Sequence, residues 1–275
     1  MKLSTDRGCK LAILIIACLV LGALLAGWIA PHDPEKAMPE LRLKSPDWEY
    51  PLGTDHLGRC IFSRMIFGIR MSLLIGVGVV LFSAILGIFL GGTAGYFGGI
   101  LDETIMRVVD AFLAFPSIFL ALAVIGFLGS GLTNMMLSLI LVEWTGYARL
   151  VRSIILSLKG GEFLEAAMSL GASDQYILRK HLLPNVMPQV LVMATLGVGY
   201  AILGAASLSF LGLGVQPPTP EWGSMMNDAR PFVRAEPQMM IFPGIAITIT
   251  VLAFNLLGEG LRERLDPRSN IKMDL

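Results

Sequence analysis

Charge is what this 275-residue chain has least of: 15% of it is Asp, Glu, Lys or Arg, with 21 basic against 21 acidic residues and a formal net charge of zero. Soluble domains carry about 25%. The balance excludes a nucleic-acid binder, whose affinity needs a surplus of Lys and Arg facing phosphates. Cysteine is as scarce. Cys9, Cys18 and Cys60 stand far apart without CxxC spacing, so neither a disulfide framework nor a thiolate metal site is indicated. His32, His56 and His181 are too dispersed for an HExxH or paired-His metal site. There is no GxSxG and no twin aspartate within a hydrophobic run, which leaves a membrane-embedded enzyme without a nucleophile, acid pair or metal cluster. The glycine-rich GGTAGYFGG at Gly91–Gly99 lacks GK[ST] and cannot cradle phosphate. The fifteen methionines read as gap-fillers between packed helices rather than soft metal ligands.

What the chain has is oil: 55% hydrophobic residues and a mean hydropathy of +0.70 identify a polytopic membrane protein. A bilayer core of about 30 Å asks for roughly 20 apolar residues per helix. Six runs meet that demand: Leu11–Ala30, Met71–Gly92, Ile105–Phe127, Leu132–Ala148, Pro188–Leu208 and Met239–Leu257. The first is too long for a cleavable signal and lacks a small-x-small site before Pro31, so it reads as a retained anchor. TAGYFGG reads as a turn after the second, and Pro116 is expected to kink the third and free a backbone carbonyl. Gly87, Gly91, Gly95 and Gly99 recur every four residues, a spacing that lines one helix face for close packing.

Six spans place both termini on one side, and Lys and Arg choose which. Lys2, Arg7 and Lys10 precede span one; Arg149, Arg152, Lys159, Arg179 and Lys180 lie between spans four and five; Arg262, Arg264, Arg268 and Lys272 follow span six. That side is expected to be cytoplasmic. The layout divides the chain into a cytoplasmic N-terminus with its first span (1–30), an extracytoplasmic loop (31–70), a five-helix core (71–258) interrupted by a cytoplasmic loop (149–187), and a cytoplasmic tail (259–275). Within the core, Glu143 beside Trp144, Tyr147 and Arg149 suits a snorkelling or ion-paired role, and Asp110, one turn from Arg107, an internal pair.

The segment EFLEAAMSLGASDQYILRKHLLPN, 162–185, is charged where its surroundings are apolar. Glu162 and Glu165 suit a helix N-terminus and Gly171 a C-terminal stop. Phe163, Ala167 and Leu170 share one face, Glu162, Glu165 and Ser169 another. A helix of about nine residues is below the roughly 12 to 15 needed for marginal stability alone. Ala166 and Ala167 leave a low surface for another backbone, and Pro184 is expected to end the next short helix. Docking against a partner and lying on lipid both fit this pattern.

The spacing Glu165-Ala166-Ala167, then Gly171, then HLLP at His181–Pro184 resembles the EAA motif of ABC-importer permeases. GTDHLGR (Gly53–Arg59), SRMIFGIRMSL (Ser63–Leu73), MRVVDAFLAFP (Met106–Pro116), YARLVRS (Tyr147–Ser153), SFLGLGVQPPTPEWG (Ser209–Gly223) and AFNLLGEGLRERLDPR (Ala253–Arg268) resemble the dipeptide, oligopeptide and nickel permease group, in its shorter second subunit. Cys60 stands where the group usually has an acid. EWGSMMNDAR, Glu221–Arg230, is most similar to nickel members.

The resemblance implies an all-α, type I ABC-importer permease fold with six transmembrane helices in the cell's inner membrane. Its partners would be a homologous second permease, two cytoplasmic ATPase subunits, an extracytoplasmic substrate-binding protein and membrane lipid. The chain would bind no cofactor directly, ATP residing on the partner subunits. ATPase coupling would fall to Glu162, Phe163, Glu165, Ala166, Ala167, Gly171 and Pro184. A gate or binding-protein contact is expected at Pro217, Pro218 and Trp222: the prolines of VQPPTP stiffen the backbone, and Trp222 reads as an interfacial anchor. The cargo would be nickel or a nickel chelate, or alternatively a dipeptide or oligopeptide.

Overall fold

The computed structural model describes residues 2–265, with side chains from Arg7 onward; the tail beyond 265, including Arg268 and Lys272, lies outside the described residues. The elements are α1 (Lys2–Leu24), α2 (Ala26–Ile29), α3 (Ile61–Phe97), α4 (Gly99–Leu113), α5 (Ser117–Leu128), α6 (Leu132–Lys159), α7 (Glu162–Ser169), α8 (Asp174–Ile177), α9 (Leu183–Phe210), α10 (Trp222–Ala229) and α11 (Gln238–Leu265). Among the described residues the only extended pairing is an isolated antiparallel bridge between Thr54 and Cys60.

Helix α3 is the spine. Its 37 residues rise about 55 Å, well beyond a bilayer core. It starts at Ile61, so residues 61–70 of the predicted outer loop are helical, and it runs through TAGYF, where a turn was expected, to stop at Gly98 with φ +69°. Packing explains the extra turns. Gly87, Gly91 and Gly95 lie against α6, meeting Tyr147, Ala148 and Ile155, whereas Gly99, the fourth of the predicted stripe, falls beyond the helix end. The buried core runs from this seam through Ile75, Val79, Tyr147, Val151 and Ile155 to Val186, Val190, Ala201 and Ile202 of α9.

Helix α1 packs on α11, with Cys9 against Gly260, and leaves Leu11, Leu14, Leu21 and Leu24 exposed. Such apolar outer surface is what lipid covers. Arg70 of α3 donates to the carbonyls of Ala23 and Leu24, serving acceptors that the end of α1 leaves without helical partners.

The third predicted span is not one helix. α4 and α5 meet at 94° across a short break before Pro116, because a proline disfavours helical backbone in the residue before it and has no N–H to continue the ladder. The charged α4 is held along α6 by Asp102–Arg152 (2.6 Å, Nη2 to Oδ2) and Asp110–Arg149 (2.6 Å). Asp110 thus pairs across helices, and Arg107 instead reaches Glu103 at 3.5 Å. Among the described residues four helices are individually long and apolar enough to cross a membrane, five if the bent pair is one span. α6 has 28 residues, about 42 Å, but it carries Glu143 near its middle and Arg149, Arg152 and Lys159 in its second half. Counting it makes the layout compatible with six. Glu143 is half-buried and has no ion-pair partner among the described residues.

Candidate coupling and gate segments

At one end of the bundle the chain leaves α6 through Gly160 and Gly161 and forms the eight-residue α7. Leu164 alone is buried there, its side chain in the same core as Ile177 and Leu182. One anchor holds the helix while Glu162, Glu165 and Ala166 stay exposed, Ala167 half-buried. Phe163 is 44% exposed and leans towards His181 at 6.0 Å between ring centroids. Met168 and Leu170 are also exposed, so α7 presents a mixed acidic and apolar surface that no other described residue covers.

The end of α7 is a closed backbone motif. Gly171 N–H donates to Met168 O at 2.9 Å and Ala172 N–H to Ala167 O at 3.1 Å, the paired bonds of a Schellman turn, which require a left-handed residue between them. Gly171 supplies it with φ +80°. The chain then returns through α8, pinned by Tyr96 Oη donating to Asp174 Oδ1 at 2.6 Å.

Pro184 does not end a helix, contrary to expectation. A π-turn at Leu178–Leu182 leads directly into α9, where Pro184 sits in the first turn. A proline N–H is dispensable there, and Asn185 Nδ2 serves the His181 carbonyl at 2.6 Å.

At the opposite end, residues 211–237 connect α9 to α11 through α10. Pro217 and Pro218 are exposed and joined by a cis peptide bond. Glu221 caps α10, accepting from Gly223 and Ser224 N–H at 2.8 Å each. Burial pushes its carboxyl pKa up, against the pull of those bonds. Trp222 is only 1% exposed. Its Nε1 donates to Met65 O at 3.2 Å, and its ring covers Gly68, where a Cβ would come within 2.8 Å of Cδ1. The expected interfacial anchor is therefore an internal one, locking α10 to α3, because Gly68 opens a slot of indole width.

Beside it is a cluster that sequence reasoning missed. Arg59 Nε donates to Asp55 Oδ2 at 2.6 Å and its Nη2 to Asp228 Oδ2 at 3.0 Å; Arg64 Nη1 donates to Pro34 O at 3.0 Å and Pro218 O at 3.1 Å. The available signal was GTDHLGR itself, three charged or polar residues between two glycines shortly before a long apolar run. Cys60, singled out for its departure from the group, is buried at the start of α3.

Residues 61–271 match the family described as "Binding-protein-dependent transport system inner membrane component". The chain belongs to that family. It is 46% identical over 265 residues to the nickel transport system permease protein NikC of Escherichia coli (strain K12), covering 96% of both chains. It is 47% identical over 258 residues to the glutathione transport system permease protein GsiD of Escherichia coli O6:K15:H31, covering 94% of this chain and 85% of that one. Among solved structures, an inward-facing MetNI methionine ABC transporter matches with a TM-score of 0.62 at 20% identity, covering 75% of this chain and 98% of that chain. An amino acid ABC transporter with histidines matches at 0.57 and 15% identity, covering 74% and 94%. These two share the fold. This member of the importer-permease family is thus an all-α, multi-pass inner-membrane subunit of an ATP-driven importer, and not an enzyme. Hydrolysis of ATP resides in separate subunits.

Proposed function

We propose that this permease forms one half of a pathway for nickel, carried as a small chelate, beside a homologous second permease. The observation that carries the cargo choice is the segment EWGSMMNDAR, Glu221–Arg230, which is most similar to nickel members. Identity to the nickel and glutathione relatives is nearly equal, at 46% and 47%. A co-purified extracytoplasmic binding protein would select the cargo. In proteoliposomes holding the whole complex, ATP-dependent uptake of radiolabelled nickel with histidine as chelator is expected, without uptake of labelled glutathione or dipeptide. Peptide uptake without nickel uptake would reverse the choice.

In this reading α7 is the cytoplasmic handle. Glu162, Phe163, Glu165, Ala166 and Ala167 meet an ATPase subunit, Gly171 shapes the exit, and Pro184 starts the return into the membrane. A rigid α7 docked by its exposed face would pass ATPase closure to α6 and α9 through Leu164. Pro217 and Pro218 lie on the extracytoplasmic surface available to the binding protein, and Trp222 holds the gate segment from within. Both termini and 149–187 are then cytoplasmic and 31–60 is outside.

Orientation has its own test. Cys60, buried, reports nothing, but Trp48 is fully exposed. Trp48→Cys, with Cys18→Ser to remove the exposed native thiol, is expected to label with an impermeant maleimide in intact cells. Labelling restricted to inverted vesicles would turn the topology over.

A further inference from the structure

Arg59 and Arg64 are each 2% exposed and Asp55 is 5% exposed; the Asp228 side chain is 22% exposed. Charges this deep are costly unless each is paired in good geometry, and apolar residues of similar size serve plain stability as well or better. The surroundings already offer that alternative: Ile61, Trp222, Met225, Ala229 and Met239 form a small apolar core under α10. What charge adds is direction. An arginine fork fixes register between the groups it bridges.

The bridged groups come from separate parts of the chain. Asp55 Oδ1 accepts from the N–H of Leu57 and of Arg59, both at 2.9 Å, which ties the carboxylate to its own turn. Arg59 carries that turn to Asp228 on α10. Arg64, on the first turns of α3, holds the carbonyl of Pro34 on one side of the cap and that of Pro218 in the gate segment on the other. A push on the 31–60 cap therefore reaches α10 through hydrogen bonds whose ends are not free to slide.

We propose that Arg59, Arg64 and Asp228 are positioning residues that join the cap and the Pro217–Asp228 segment into one rigid body, so that a protein docking on the cap moves α10. The proposal rests on the reading of this chain as a permease that answers to an extracytoplasmic binding protein.

The test uses the complete complex in proteoliposomes, with ATP hydrolysis measured per assembled complex, with and without loaded binding protein. Asp228→Asn keeps size and loses charge. It is expected to lower binding-protein-stimulated hydrolysis about tenfold, an ordinary size for coupling between sites, while basal hydrolysis stays unchanged; Asp228→Glu retains most of the stimulation. Should Asp228→Asn not assemble, Arg64→Lys decides, since it keeps the charge but its single nitrogen cannot serve the Pro34 and Pro218 carbonyls, both held by Nη1, while also facing Asp55 and Asp228 as Nε and Nη2 do. The same selective loss is expected there. Parental stimulation in the assembled Asp228→Asn complex, or in Arg64→Lys when that variant decides, overturns the proposal, as does an equal loss of basal and stimulated rates. The parental complex is the separate control on the partner reading: if it shows no stimulation, that reading falls and the link with it.

Discussion

Gly171→Arg is expected to abolish uptake while the chain stays in the membrane. The glycine holds φ +80° at the turn that closes α7, and an L-residue in that left-handed region costs about 1–2 kcal/mol. Among the described residues no other atom lies within 4 Å of a Cβ built there, so the first carbon of an added side chain meets no clash. Its bulk and charge are instead delivered beside the α7 surface proposed to meet the ATPase. Two graded controls separate the effects. Gly171→Ala pays the backbone cost alone and is expected to keep reduced uptake. Glu165→Ala, on an exposed first-turn residue, removes one contact and leaves the helix, so it should do less than Gly171→Arg. Uptake, co-purification of the ATPase and basal hydrolysis are measured together. Normal assembly and parental uptake in Gly171→Arg would falsify the coupling role of α7.

Gly91→Val is expected to be the most damaging change to the fold itself. A Cβ at Gly91 would lie 2.2 Å from the carbonyl oxygen of Ala148 and 2.8 Å from its Cα. Both are backbone atoms of α6, so no side chain can turn aside, and the two longest-packed helices must separate. Overpacking of this kind costs on the order of 3 kcal/mol or more. The expected result is a large drop in melting temperature in detergent and in the yield of monodisperse protein. Gly92 is the internal control: it neighbours Gly91, yet nothing lies within 4 Å of a Cβ there. Gly92→Ala is expected to be neutral or slightly stabilising, alanine being the better helix former by about 1 kcal/mol. Equal behaviour of the two variants would show that the α3–α6 seam does not depend on close backbone approach.

Features written in neighbouring residues were legible before the structure. The apolar runs around α1, α3, α9 and α11, the four-residue spacing of Gly87, Gly91 and Gly95, and the acid-first, glycine-last pattern of α7 are all local. Helix period, bilayer thickness and the left-handed tolerance of glycine act within a few turns of chain. Proline at 116 likewise announced a disturbance, but its size did not follow from the residue. The 94° bend depends on where α4 finds its partners, and Asp110 finds Arg149, 39 residues away, rather than Arg107.

Tertiary structure alone decided the interior of the cap end. Trp222 looks the same in sequence whether it anchors at a lipid surface or fills a slot, and only the approach of α3 at Gly68 buries it. Arg59 and Asp228 are separated by 169 positions, and no periodicity connects them. Charges in a membrane chain are read by default as loop residues bound for water. A pair that meets across the fold escapes that default, because its desolvation is offset by a partner that no local pattern can supply.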